Sequence, residues 1–430
     1  MIAAARISAA IEILADIEAR RRPATDALKD WGLAHRFAGS SDRAALASLV
    51  FDALRRKASA AWIMGEATPR AILLGALREV RSLSVDDIAA LCTGTGHAPA
   101  ALSETERQRL ASGDLADAPV HVRGDFPEWL APYFDRLYGP AAVEEGRALA
   151  ERAPVDLRVN TLKASRDKAL ADLAHLRAEP TPLSPLGLRV PLTADGRGPA
   201  LKAEPAYIKG LVEVQDEGSQ IATLLSGTEP GMQVLDLCAG AGGKTLALAA
   251  MMENKGQIYA TDSDGHRLAP IFARLDRAGA RNVQVRAPQG MRNVLAGLEA
   301  SCDSVVVDAP CSGIGSWRRN PDAKWRIRPG ALEQRMKEQD QVIETASLFV
   351  KEGGRITYIT CTLLAEENED RIADFLQRHA DFLPLEPGHL ARRAGLPGLA
   401  ERASPFGPGL RLTPATTGTD GFYVAVLVRR

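Results

Sequence analysis

The chain has 430 residues, 46% of them hydrophobic and 25% charged, with a formal net charge of −1 at pH 7. That length calls for more than one compact unit, and the composition is that of an ordinary globular protein. Near-neutrality argues against a uniformly basic nucleic-acid binder but leaves room for a local basic face. Five cysteines without a C-x-x-C pair and seven scattered histidines argue against zinc, any other metal and a disulfide framework. No apolar run reaches membrane-spanning length. Arg6, Glu12 and Asp16 break up the Ala-rich start, and no cleavage pattern follows it. A cytoplasmic monomer with no membrane or metal partner is expected.

In chain order, the pattern from Ile2 to about Leu110 is helical throughout. Its clearest piece is "SSDRAALASLVFDALRRKASAAWIM", in which Ser41 and Asp42 can cap and Leu46, Leu49, Val50 and Leu54 form an apolar stripe. Between Ser112 and Pro127, Gly, Asp and Pro mark a linker, with a boundary near residue 122. "DLRVNTLKASRDKALADLAHL" and "GLRVPL" then read as strand, turn, helix and strand, a small α+β unit. From about Pro205, strands and helices alternate. Strands are expected at Leu211 to Val214, Gln233 to Leu237, Gln257 to Thr261, Val283 to Arg286, Ser304 to Val307, Arg355 to Thr360 and Phe422 to Val428. This alternation predicts an α/β domain with a doubly wound, mostly parallel sheet, Rossmann-like in kind. The expected domains are 1–122, all-helical; 123–204, α+β; and 205–430, the doubly wound sheet.

"QVLDLCAGAGGKTLALAA" ends its loop on Gly243-Lys244-Thr245, as a phosphate-binding P-loop does. The P-loop's leading glycine is missing, because Cys238 stands in its place. Ala239, Gly240, Gly242 and Gly243 still let backbone approach a ligand closely. Ligands of such sheets sit at the carboxyl ends of strands. Asp236, Asp262, Asp308, Cys311 and Cys361 are all expected there. Asp262 follows Asp236 at close to the spacing of about 20 residues that suits a ribose ligand. A rival reading makes "SVVVD" a magnesium-binding strand of a P-loop ATPase, and it leaves the cysteines without a task. A single cysteine is ordinarily a small buried hydrophobe, the reading given to Cys92, Cys238 and Cys302. Cys361 stands where a strand stops and a helix is expected to start, a setting that favours thiolate.

"DLCAGAGGKT", "DAPCSGIGSWRRNPDAKW" and "YITCTLLAEENE" together resemble the signature motifs of the Nop/Sun family of RNA cytosine-5 methyltransferases. The likeness continues through "FPEWL", "LRVNTLK", "VQDEGSQ" and "DGFYVAVLVR". The N-terminal helices resemble the NusB-like domain of that family's bacterial 16S rRNA member. The resemblance implies a class I methyltransferase fold and S-adenosylmethionine as cofactor. It also implies Cys361 as nucleophile toward cytosine C6, Cys311 in breakdown of the adduct, Asp308 on the base, and Lys244 near the base or Asp308. The cofactor set expected is Asp236, Cys238, Ala239, Gly240, Gly242, Gly243, Lys244, Asp262, Arg267, Gln289 and Asp308. Here Pro288 and Gln289 stand where relatives carry an acid for the adenine amino group. The RNA partner is expected to be rRNA, with tRNA as rival, and a noncatalytic RNA-binding regulator is a further alternative. Arg318, Arg319, Lys324 and Trp325 are expected RNA contacts, since basic and aromatic side chains interleave in "SWRRNPDAKWRIRPG", and the resemblance implies Arg158 and Asn160 of "LRVNTLK" as further ones, in a unit that guides RNA toward the pocket.

Overall fold

A computed structural model describes residues 1–192, 198–290 and 293–430. The chain divides into two compact units: Met1–Arg152 with Trp317–Arg328, and Ala153–Leu192 with Gly198–Ser316 and Pro329–Arg430. This division differs from the three domains expected, in both number and bounds.

The first unit is helical. Its helices include Ala3–Arg20, Ala24–Ala34, Ser40–Arg55, Lys57–Met64, Pro69–Arg81, Val85–Leu91 and Glu104–Ser112. Local chemistry sets several starts. Ser84 with Asp87, and Ser103 with Glu106, form reciprocal capping boxes, and Thr68 accepts from Ala71 N ahead of Pro69. The expected cap at Ser41 and Asp42 is corrected. The helix starts at Ser40, after Gly39 and without a side-chain cap, and Asp42 pairs with Arg6 at 2.8 Å instead. Leu46, Leu49, Val50 and Leu54 are buried in one core with Ile13, Leu14, Ile72 and Leu73. Gly75 lets two helices touch, since a Cβ there would stand 2.7 Å from that of Ala60.

The segment expected to be a linker is built into this unit. Asp125, 1% exposed, accepts from Ser59 N and Oγ at 3.0 and 2.7 Å, and Gly146 packs against Gly124 too closely for any side chain. The unit therefore runs past residue 122 to Arg152. Trp317–Arg328 also belongs to it. Trp317 stacks on Phe134, the Trp325 indole N–H donates to Leu54 O at 2.6 Å, and Ala24 N donates to Asp322. Lys324, 1% exposed, donates to Arg55 O and Asp125 O, each at 2.7 Å.

The second unit holds two sheets. In the smaller, β1 (Val155–Val159), β2 (Glu179–Pro180), β3 (Gly187–Val190) and β4 (Val212–Val214) lie in the order β2-β3-β1-β4, all antiparallel. The strand expected at Leu211 to Val214 therefore pairs with β1, and its place in the large sheet is corrected. A three-residue strand takes whichever edge is offered, and Asn160 N to Leu211 O at 2.9 Å extends this one.

The larger sheet contains β5 (Gln233–Asp236), β6 (Gln257–Ala260), β7 (Val283–Val285), β8 (Cys302–Asp308), β9 (Val350–Thr360), β10 (Phe382–Pro384), β11 (Leu410–Leu412) and β12 (Phe422–Arg429). Its order is β10-β12-β9-β8-β5-β6-β7, with β11 also on β12. The five strands from β7 to β9 run parallel, and β10, β11 and β12 pair antiparallel. Val305, Val306 and Val307 are fully buried, as a strand covered on both faces requires. The chain winds from β5 through β6 to β7, then returns to β8 on the other side of β5. This reversal opens a crevice at the carboxyl ends of β5 and β8.

Removing the Lys324 amine leaves two buried carbonyls without their donor and opens a cavity. Lys324→Ala should cost about 3 kcal/mol, read as a lowered urea or thermal unfolding midpoint.

Candidate active site

The loop after β5 turns into the helix Gly243–Met251 through Gly242, whose φ of +83° and whose clearance from Ile271 exclude a side chain. Gly240, at φ +50°, donates its N–H to Asp262 Oδ2 at 2.9 Å. That bond ties the loop to the end of β6. Asp236 is fully buried and accepts from Thr245 Oγ1 at 2.6 Å. It thus buttresses the first turn of the helix from below and stands outside the lining of the cavity beside the loop.

A cavity of about 570 Å³ lies beside this loop. Asp262, Cys238, Arg267 and Gln289 line it together with Thr261 and Pro310. The size suits a nucleoside-bearing cofactor, for which pockets run from roughly 300 to 1,000 Å³. Asp262 is buried and its two oxygens accept from Gly240 N and Asp264 N, so the carboxylate is held rigidly at the cavity edge. Arg267 Nη1 stands 3.8 Å from it. Burial pushes the Cys238 thiol far up, which makes it a neutral wall. Four of the expected cofactor residues are therefore brought together here. Ala239, Gly240, Gly242 and Gly243 form the adjoining loop, while Lys244 and Asp308 lie outside the lining.

Lys244 Nζ is 2.6 Å from Asp308 Oδ2 and 5.5 Å from the centre of the Phe422 ring. The amine that mimics a phosphate ligand in sequence is thus engaged by a carboxylate at the end of β8. Three residues on, Cys311 Sγ lies 3.3 Å from Cys361 Sγ. The contact follows from the parallel pairing of β8 with β9, which sets Asp308 opposite Ile359 and brings both strand ends to the same edge. Its hydrogen bond with Cys361, then burial, hold Cys311 well above the ordinary thiol range. The helix expected just after Cys361 begins only at Glu369, past a turn at Ala365–Glu367, so the helix-start reading of this thiol is corrected.

Two residues without a role in the sequence analysis stand behind the thiols. Glu367, fully buried, accepts from Ser312 N, Ser312 Oγ, Thr362 Oγ1 and Gln339 Nε2 at 2.5 to 3.0 Å. Gln339 Nε2 also donates to Pro310 O at 2.9 Å. The acidic run "AEENE", which begins four residues after Cys361, was the signal available for Glu367; Gln339, on a long polar helix, had none.

The expected RNA contacts scatter. Lys324 and Arg318 are buried in the first unit, and Trp325 is half-buried with its N–H spent on Leu54 O. Arg158 is buried and donates to Gln215 Oε1 at 2.6 Å; Asn160 is buried and donates to Gly210 O and Ala278 O. Lys324, Trp325 and Asn160 donate to backbone carbonyls and Arg158 Nε to an amide oxygen, and Arg318 is withdrawn from solvent with Lys324, Arg158 and Asn160, which corrects their reading as phosphate ligands. Arg319 is half-buried, and Arg326 and Arg328 are the exposed cations of that run. No helix is long and apolar enough to cross a membrane, and no group of three or more His, Cys, Asp or Glu is placed to hold a metal, both among the described residues.

Burial lifts Asp236 from 3.8 to about 7, against the Thr245 bond that lowers it. Between those values the folded chain keeps a proton that the unfolded chain has released. The stabilisation is full below pH 3.8 and is lost as pH rises through about 7. Asp236→Asn keeps an acceptor for Thr245 and should gain stability over the wild type as pH rises from about 4 to about 8, in urea unfolding at several pH values.

Comparison with known proteins follows this geometry. A family model described as 16S rRNA methyltransferase RsmB/F matches residues 222–428, and an RsmF/B-like ferredoxin-like domain model matches residues 126–194. The chain is 30% identical over 425 residues to the ribosomal RNA small subunit methyltransferase B of Erwinia tasmaniensis, covering 92% of this chain and 93% of that one. It is 32% identical to the probable ribosomal RNA small subunit methyltransferase B of Synechocystis, over 70% of this chain and 66% of that protein. Among solved structures, a methyltransferase homologue from Pyrococcus horikoshii is 26% identical with a TM-score of 0.58, covering 72% of this chain and 98% of that one. NSun6 from the same organism, solved with SFG, is 22% identical with a TM-score of 0.60, covering 71% and 98%, a likeness of fold. With full-length identity of that order on top of the matched sheet and loops, the chain belongs to the RsmB/F family of 16S rRNA methyltransferases.

Proposed function

We propose that this protein transfers a methyl group from S-adenosylmethionine to C5 of a cytosine in 16S rRNA, through a covalent adduct at C6. The observation that carries the reading is the pair of sulfur atoms 3.3 Å apart at the edge where β8 and β9 end. Cytosine C5 is a weak nucleophile, and a thiolate added at C6 turns the ring into an enamine whose C5 can attack. The names of the relatives support rRNA as substrate, with tRNA as the rival. The solved neighbour holding SFG, an S-adenosylmethionine analogue, supports the cofactor.

The residues present fit that cofactor. Asp262 offers a rigid carboxylate to ribose hydroxyls, Gln289 offers an amide oxygen to an adenine amino group, and the glycine loop admits backbone contact. When bound, the cofactor supplies an electrophilic sulfonium methyl. Cys361 adds its electron pair to C6. Asp308, steadied by Lys244, accepts from the cytosine amino group, or from N3 when protonated, as charge develops there. After transfer, water takes the C5 proton and the C5–H pair forms the C5–C6 double bond. The C6–S pair then returns to Cys361, whose departing thiolate accepts the Cys311 S–H. A stacked cytosine cannot reach these thiols, so the target base must be flipped or already unpaired.

Cys361→Ala should abolish both methyl transfer and trapping on RNA containing 5-fluorocytosine. Cys311→Ala should keep trapping and accumulate adduct on ordinary RNA; the opposite pattern would exchange the two roles. Bisulfite sequencing of total RNA from cells with and without the gene should show one 16S rRNA cytosine losing its methyl group; a lost tRNA site would move the substrate, and no lost site would overturn the reaction. Gln289→Ala should weaken cofactor binding by calorimetry on the order of tenfold, the worth of one buried hydrogen bond; unchanged affinity would remove Gln289 from the site.

A further inference from the structure

Four donors converge on one buried carboxylate, three from the two thiol-bearing segments and one from a separate helix. Ser312 follows Cys311 directly and gives Glu367 its N–H at 2.7 Å and its hydroxyl at 2.5 Å. Thr362 follows Cys361 directly and gives its hydroxyl at 2.6 Å. The two hydroxyls also meet each other at 2.8 Å. From the helix Pro329–Phe349, Gln339 adds a donor at 3.0 Å and ties down Pro310, the residue before Cys311. Behind the carboxylate, Tyr358 of β9 donates to the Glu367 carbonyl at 2.7 Å, so the turn itself is pinned to the strand. Burial raises Glu367 above the ordinary carboxylate range, and the four donors work against that rise.

We propose that Glu367 is the positioning residue of the thiol pair: one carboxylate clamps the Cys311 loop to the β9 end and holds the two sulfur atoms at the spacing that adduct breakdown needs. This rests on the reaction proposed above. Glu367 touches neither sulfur through a hydrogen bond among the described residues and acts through Ser312 and Thr362. Its negative charge also opposes ionisation of Cys311, as the neighbouring Cys361 does more strongly. Both effects keep Cys311 protonated, 3.3 Å from the partner sulfur. The consequence is a division of labour, with Cys361 leaving as thiolate and Cys311 donating to it.

The test compares wild type, Glu367→Gln, Cys311→Ala and the double variant on an unmodified 16S rRNA fragment with S-adenosylmethionine. Glu367→Gln keeps the size of the side chain but removes the charge and forces an amide among donors. Its kcat should fall on the order of 10- to 100-fold with KM for RNA nearly unchanged, as misplacement of reacting groups does. Denaturant-resistant protein–RNA adduct should accumulate, and the double variant should be no slower than Cys311→Ala alone. A wild-type kcat without adduct, or losses that multiply in the double variant, would overturn the inference. Should Glu367→Gln fail to fold, Ser312→Ala removes one donor to the clamp and should show the same adduct build-up in smaller measure; no build-up there overturns the clamp. If the wild type itself moves no methyl group to cytosine, the reaction reading falls and this inference with it; wild-type transfer beside an unaffected Glu367→Gln sinks the inference alone.

Discussion

The pairing of β8 with β9 is the constraint on which the site depends. In a parallel ladder both chains run the same way, so both strand ends emerge at one edge, and the register Asp308 to Ile359 brings them level. Cys311 and Cys361 are fifty residues apart in the chain yet 3.3 Å apart at their sulfur atoms. Neither loop could reach that spacing if the strands were antiparallel, since their carboxyl ends would then face opposite ways.

A parallel edge presents loops but does not hold them, because the loop backbone lies outside the ladder. Buried polar contacts take over there. Asp236 braces the helix start through Thr245, Asp262 fastens the glycine loop through Gly240, and Glu367 gathers Ser312, Thr362 and Gln339. The three carboxylates share one physical solution. Each is buried, each would be costly alone, and each accepts at least one hydrogen bond from a segment that needs fixing. The strands supply the coarse placement and the carboxylates the fine one.

The same principle reverses the meaning of the basic segment after Cys311. Charges interleaved with tryptophan look like a nucleic-acid face in one dimension. In the folded chain Trp317 stacks on Phe134, and the Lys324 amine ends on two carbonyls, with burial drawing it down to about 7. A lysine whose long stem lies in a core can still meet its hydrogen-bonding needs with backbone oxygens, and sequence carries no mark of which way the stem will turn. Arg158 and Asn160 were misread for a related reason: their partners, Gln215, Gly210 and Ala278, are distant in sequence.

What the sequence determined by itself was most of what local pattern sets, the Ser41 cap and the helix start after Cys361 excepted. The six strands β5 to β9 and β12 stand where their apolar runs placed them, as do the N-terminal helices with their buried stripe. Motif and spacing put the glycine loop, Asp262, Cys311 and Cys361 at strand ends, and they stand there in the folded chain. Short β10 and β11, the β1–β4 pairing and the extent of the helical unit were left to tertiary structure, because segments of a few residues, or helices without their own core, take their state from what they pack against. The Glu367 clamp was equally hidden, since its meaning lies in donors from three separate segments. Periodicity and turn chemistry are recorded residue by residue, whereas the partner of a buried polar group is decided only when the chain has closed upon itself.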